Sequence, residues 1–310
     1  MFEVIACSLE NRSFFRSFQE RLYSKLNCFS KLRKENIGKN FSFLVIKKLG
    51  DNHLILFDVD DGSGITDCRP GHLDGDCKLN FEKLQQIKSE YEIKNILVFK
   101  LQFNPDDCEF YPFKDNVFPA GYYCDDQDSI SPVEITNKDI DVIWIGSVNL
   151  NGSPWNWPND KDIKQWPSGR RRAGYHALKE IKERRKDLNI ICTPEKFSQE
   201  EYNGLINRSK ICVELPGCGW FTRRLVENIR RGKCILSLEQ KQKLHFDYVS
   251  NLHYCLIEND EFLDLEEKID MLLSTPHMIA GYENQSKNIS RFFDYQYMID
   301  NIISSINEKT

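Results

Sequence analysis

Thr222, Arg223, Arg224 and Glu227 follow a glycine turn in the stretch KICVELPGCGWFTRRLVENIRRGKCILS, residues 210–237. A hydroxyl and a guanidinium fork are side chains that hold a diphosphate, and a carboxylate one turn further on can grip two ribose hydroxyls. Gly217 and Gly219 would let the backbone come close to such a ligand. The first N–H groups of a helix are unpaired and partly positive, so a helix start beside the turn suits an anion. Arg223 and Arg224 oppose the helix macrodipole at that end, a placement that a nearby anion would offset. Together these residues outline a nucleotide-diphosphate site. A structural turn, or another phosphorylated ligand, is the competing account of the same residues.

The elements that must position them are legible from spacing. Ile211, Val213 and Leu215 form a strand's apolar set, and Pro216-Gly217-Cys218-Gly219 stops it. Leu225, Val226 and Ile229 recur at helical spacing, Gly232 ends the helix, and Cys234-Ile235-Leu236 begins the next strand. The same alternation extends from residue 140 onward. It predicts strands at 140–147, 188–192, 210–215 and 233–238, with helices at 169–186, 198–208 and 220–231. That rhythm means βαβ units on a parallel sheet. Before it, strands are expected at 2–8, 41–47, 54–58 and 96–99, and helices at 14–32 and 81–91. Residues 103–136, rich in proline, aspartate and aromatics, are expected to be loops and a linker. Phe292, Phe293, Tyr297, Met298 and Ile302 share a helical phase over 289–306.

Pro216, Gly217, Gly219, Thr222, Arg224, Leu225, Glu227 and Gly232 resemble the donor-binding half of GT-B glycosyltransferases, particularly the exostosin-like branch. There a strand leads into Pro-Gly, a loop, and a Ser/Thr-x-Arg-Leu-x-Glu/Asp helix. The firm part of the resemblance covers about residues 185–240; Lys233-Cys234-Ile235-Leu236 stands where the family has Ile/Val-Pro-Val. The resemblance implies that Arg224 contacts the donor diphosphate and Glu227 the ribose. It implies two Rossmann-like α/β domains facing across a cleft, with a last helix returning to the first domain. The expected division is 1–136 for the acceptor side, 137–290 for the donor side and 291–310 for the returning helix.

Further candidates lie on both sides of that division. Ile143-Trp144-Ile145-Gly146-Ser147 reads as a strand ending in Gly-Ser. In GT-B proteins Gly146 and Ser147 would match the end of the first donor-domain strand. The helix opened by Gly169-Arg170-Arg171-Arg172 would bring a basic residue, Arg172 among three choices, to the phosphates. A solvated basic face is the alternative for those arginines. Trp155, Trp157 and Trp166 suit stacking on a base or sugar, or a small core of their own loop. Phe118-Pro119-Ala120-Gly121-Tyr122 is similar to a stretch lining the acceptor side in related transferases. Asp58-Val59-Asp60 looks like the Asp-x-Asp metal motif of another transferase class. With arginine and helix N-termini neutralising a diphosphate elsewhere, no metal is needed. Asp60 or Asp61 then becomes the candidate base that deprotonates an acceptor hydroxyl, with His72 second and a polar turn as the alternative.

Composition bounds the rest. A net charge of −5 and a pI near 5.8 argue against broad nucleic-acid binding. No apolar run is long enough to span a bilayer, and the first residues carry no basic leader region, so a cytoplasmic location is expected. Eleven cysteines without a CxxC pair fit buried thiols in a reducing compartment better than a disulfide framework. The expected activity is therefore transfer of a sugar from a nucleotide-sugar donor to a hydroxyl of a glycan or polysaccharide, with no cofactor and no metal. Two alternatives stand beside it. One is a phage-type DNA-base glucosyltransferase, for which Lys31, Arg33, Lys34, Lys47 and Lys48 give slight support. The other is a non-catalytic nucleotide- or glycan-binding protein with a degenerate transferase fold.

Overall fold

A computed structural model describes residues 3–7, 20–26, 37–38, 41–58, 79–101, 103–104, 114–120, 137–148, 167–217, 221–259 and 261–309 of the 310. The chain divides into two units. One comprises Met1–Gly121, Gln242–Phe246 and Tyr295–Thr310, the other Tyr122–Lys241 and Asp247–Asp294.

In the first unit, apolar and β-branched runs make a five-stranded sheet in sequential order, β1 (Glu3–Cys7), β2 (Phe41–Lys48), β3 (Asp51–Asp58), β4 (Ile93–Lys100) and β5 (Val117–Pro119). β2 and β3 form a tight hairpin whose turn, Leu49-Gly50, has both φ angles positive, at 52° and 94°. That conformation matches the twist of the flanking strands. The pairings of β1 with β2 and β2 with β3 are antiparallel, whereas β3, β4 and β5 run parallel. The sheet is therefore mixed. Helix α1 (Phe81–Glu90), capped by the Asn80 side chain on Lys83 N, lays Leu84 and Ile87 on the face that carries Phe43, Val45, Leu54 and Leu56.

The second unit is a parallel sheet of β6 (Ile140–Ile145), β7 (Ile190–Thr193), β8 (Ser209–Glu214), β9 (Cys234–Leu238) and β10 (Cys255–Ile257), ordered β10-β9-β8-β6-β7. Helices α2 (Pro167–Arg184), α3 (Gln199–Asn207) and α4 (Arg223–Arg230) connect the first four strands, as the alternation of segments predicted. Side chains sort by the two-residue period of a strand. Val142 and Trp144 join Tyr175, Leu178 and Ile181 of α2 on one face, while Ile143 and Ile145 join Ile206 and Tyr202 of α3 on the other. The sheet is thus covered on both faces, which is why its strands read as nearly continuous apolar runs. Cys192, Cys212, Cys234 and Cys255 are buried free thiols in this sheet.

Beyond β9 the sequence had suggested no elements before residue 289, and the structure supplies three: β10, α5 (Leu265–Ser274) and α6 (Pro276–Ile289). The expected helix over 289–306 is broken. A 3-10 turn at Ser290–Phe293 follows α6, Asp294 is extended, and α7 (Tyr295–Lys309) starts afresh. Phe293 is buried against Phe221 of the second unit, with ring centroids 5.8 Å apart. α7 belongs to the first unit, as the resemblance implied for the last helix, and is tied there by Lys25 to Asp300 (2.8 Å) and Lys48 Nζ to Asn307 O (2.8 Å). Among the described residues no helix is long and apolar enough to cross a membrane.

Candidate functional site at a strand-order reversal

Strand order places a crevice in the second unit. Numbered within that unit, the order is 2-1-3-4-5: from β6 the chain steps outward to β7, then returns past β6 to build β8, β9 and β10. The connections leaving β6 and β8 therefore diverge to opposite faces, and open α/β sheets bind ligands where that happens, outside the carboxyl ends of the two strands. At those ends stand Ile145-Gly146-Ser147 after β6 and Glu214-Leu215-Pro216-Gly217 after β8.

Arg224 bridges the two ends. Its Nη1 donates to the carbonyl of Ile145, and its Nε lies 3.4 Å from Oε2 of Glu214. The guanidinium carbon sits 5.5 Å from the centre of the Trp144 ring, within the range of cation–π attraction. Among the described residues, Nη2 of Arg224 has no hydrogen-bond partner. Gly146 makes room for this arrangement, because a Cβ there would lie 2.0 Å from Arg224 Nη1. Glu214 is buried, and its Oε1 accepts from Nδ2 of Asn228 at 2.5 Å. Burial pushes its carboxyl above the usual range, while Arg224 and the Asn228 hydrogen bond pull it back.

A second guanidinium closes the crevice from α2. Arg171 Nε donates to Pro216 O at 2.6 Å and its Nη1 to Ser147 O at 3.2 Å. It rests on Gly217, where a Cβ would come within 2.5 Å of Arg171 Nη2. Of the three arginines opening α2, it is thus Arg171 that joins the strand ends; Arg172, the residue singled out from the sequence, is its half-buried neighbour on the helix.

The start of α4 is capped from within. Thr222 is the N-cap, its Oγ1 accepting from Leu225 N at 3.0 Å and lying 3.5 Å from Glu214 Oε2. Arg223 Nε donates to Glu227 Oε1 at 3.0 Å, and Arg231 approaches the other oxygen of Glu227 at 3.9 Å. The two arginines at the helix start are accordingly balanced by Glu227 and Glu214, so their placement against the dipole has a partner inside the protein. The helix ends as the Gly232 signal predicted. Gly232 has φ 65°, with Gly232 N bonded to Ile229 O and Lys233 N to Asn228 O.

Glu214 and Asn228 escaped the sequence reading, whereas Arg171 was one of the three arginines it offered for this place. The signal was available for Glu214: a carboxylate closing the apolar run Ile211-Cys212-Val213 just before Pro-Gly is out of place unless something cationic meets it. Gly219, Asp60, Asp61, His72, Trp155, Trp157 and Trp166 lie outside the described residues, as do Gly121 and Tyr122. Asp58 is described. It is paired in register with Lys100 of β4, Nζ to Oδ2 2.8 Å, both side chains fully buried. A carboxylate so enclosed holds a lysine and is a structural ion pair.

No family model and no curated protein matches the chain. Solved structures resemble it in chain course. A crystal structure of TarM matches with 12% identity over 81% of this chain and 50% of that one, TM-score 0.47. Anabaena HepE in complex with UDP and glucose matches with 11% identity over 81% and 71%, TM-score 0.49. A glycosyltransferase from Rickettsia africae matches with 12% identity over 74% and 61%, TM-score 0.40. The chain spans half the length of the TarM chain.

Proposed function

We propose that this chain is a glycosyltransferase of GT-B type that moves a sugar from a nucleotide-diphosphate donor to a hydroxyl of a glycan or polysaccharide acceptor, without a metal ion. The observation that carries the proposal is the guanidinium of Arg224, held at the strand-order reversal by Glu214, Ile145 O and Trp144, with Nη2 lacking a hydrogen-bond partner among the described residues. Gly146 gives that guanidinium its room, and Arg171, resting on Gly217, adds a second positive charge.

As the glycosidic bond breaks, negative charge grows on the departing diphosphate. Donors already fixed in place stabilise that charge without reorganising at the moment of reaction. Arg224 and the first N–H groups of α4 fill this role. Glu227 would exchange its Arg223 contact for two ribose hydroxyls. Asp60 or Asp61 would take the acceptor proton. Assignment to the exostosin-like branch rests on the motif residues from Pro216 to Gly232.

Titration calorimetry with UDP, GDP and ADP tests the site. Arg224→Ala should weaken the preferred diphosphate by about 1.5–3 kcal/mol, the value of a hydrogen bond to a charged group. It also strips the buried Glu214 of its cation, so melting curves must accompany the titrations. Arg224→Lys keeps the charge and should recover binding in part, since a point charge does not replace the fork. Unchanged affinity in folded Arg224→Ala and Arg224→Lys would remove the proposal's centre.

A further inference from the structure

Glu214 enters the proposal above only as a support of Arg224, yet it places a carboxyl group among the most enclosed positions of the second unit, 2% exposed at the end of β8. Among the described residues its side-chain partners come from α4 and its cap: Arg224 Nε at 3.4 Å and Thr222 Oγ1 at 3.5 Å on one oxygen, Asn228 Nδ2 at 2.5 Å on the other. The Arg224 contact is long for a charge-assisted bond, and that guanidinium also serves the Ile145 carbonyl. The carboxylate is consequently held in a dry place by a cation that it shares.

The cationic groups near it are Arg224 on α4 and Arg171 on α2. On β8 itself, the buried thiol of Cys212 is pushed upward by burial. So are the phenols of Tyr202 on α3 and Tyr248 in the loop after β9. From β9 the neighbour is the Ser237 hydroxyl, which donates to the Glu214 backbone carbonyl. Glu214 is the carboxyl in this set, and burial pushes it above the ordinary carboxylate range. An anion arriving at Nη2 of Arg224 would draw on the same positive charge and add a negative one nearby, and both effects disfavour an ionised carboxylate.

On the reading that a diphosphate binds at Arg224, we propose that Glu214 is a positioning residue for that guanidinium and that its carboxylate takes up a proton from solvent when the diphosphate binds. In the free protein the ionised carboxylate holds Nε and aims the side chain. In the complex the diphosphate replaces it as the counter-charge, and the protonated carboxyl remains as a neutral wall. Because the ligand raises the carboxyl's pKa, affinity rises as pH falls. The slope is at most about tenfold per pH unit, between the Glu214 pKa of the free protein and that of the complex.

The test is calorimetry with UDP-glucose, GDP-glucose and ADP-glucose between pH 6 and pH 8, in buffers of different ionisation enthalpy. Sugar nucleotides are used because their diphosphate is a diester, whereas a terminal phosphate itself titrates with a second pKa near 6. Wild type should take up as much as one proton per ligand bound. Glu214→Gln, which keeps an amide oxygen for Asn228, should take up none and bind with a flat pH profile. Isotope-edited infrared difference spectra of wild type should show a protonated carboxyl appearing on binding, a readout that needs no variant. Binding without proton uptake, or uptake that persists in Glu214→Gln, overturns this proposal alone. No binding of any of the three sugar nucleotides overturns the diphosphate site and this proposal with it.

Discussion

Gly146→Ala isolates the geometry of the site in a single methyl group. A Cβ at this position would lie 2.0 Å from Arg224 Nη1, 3.1 Å from its Cζ and 3.0 Å from Cζ2 of Trp144. Real Cβ atoms do not approach within 3.0 Å, so the guanidinium must retreat by about an ångström or more, and it can, being the far end of a flexible side chain. The retreat breaks the bond from Nη1 to Ile145 O. A hydrogen bond to a charged group contributes about 1.5–3 kcal/mol. A diphosphate that needs Arg224 in place must restore the original position against the methyl, so its affinity should fall by about ten- to 150-fold, taking 1.4 kcal/mol per tenfold. Titration of a nucleoside diphosphate into wild type, Gly146→Ala, Arg224→Ala and the double variant closes a cycle. If the methyl acts through Arg224, it should cost almost nothing once Arg224 is alanine, apart from the tight contact with Trp144. Equal affinity in Gly146→Ala, or the same loss in both backgrounds, would refute the reasoning.

Two further outcomes are expected for the proposed reaction. Sugar transfer, or slow hydrolysis of the donor, should persist in excess EDTA; strict dependence on manganese or magnesium would move the chemistry toward the Asp58-Val59-Asp60 motif. Alanine at Asp60 or Asp61 should lower turnover by roughly 10²–10⁴ while leaving nucleotide affinity intact. Full activity in both single variants and the double variant would send the search for a base to His72 or the acidic residues of 103–128.

What the sequence determined by itself was local. The alternation of Ile211, Val213 and Leu215, the helical phase of Leu225, Val226 and Ile229, and Gly232 at its positive φ mark the ends of elements because propensity and capping act over one or two turns. Those signals located β8, α4 and β9 to within a few residues, and with them Arg224 beside a glycine turn. They also misjudged the end of the chain. The apolar phase runs through Phe292 and Phe293, yet packing of Phe293 on Phe221 takes precedence and the helix restarts at Tyr295. β10, α5 and α6 went unpredicted.

Tertiary structure decided which residues meet. Period and caps say nothing of strand order, and the 2-1-3-4-5 order is what sets Gly146 of one connection against Arg224 of another, 78 residues later in the numbering. It selected Arg171 from three adjacent arginines by the direction in which α2 crosses the strand ends. It enclosed Asp58 with Lys100 through the register of β3 on β4. It also gave Glu214 its cation, since a carboxylate at a strand's end acquires meaning only when the following helix folds back over it. Contacts between distant segments depend on packing across the whole sheet, and no window of neighbouring residues encodes them.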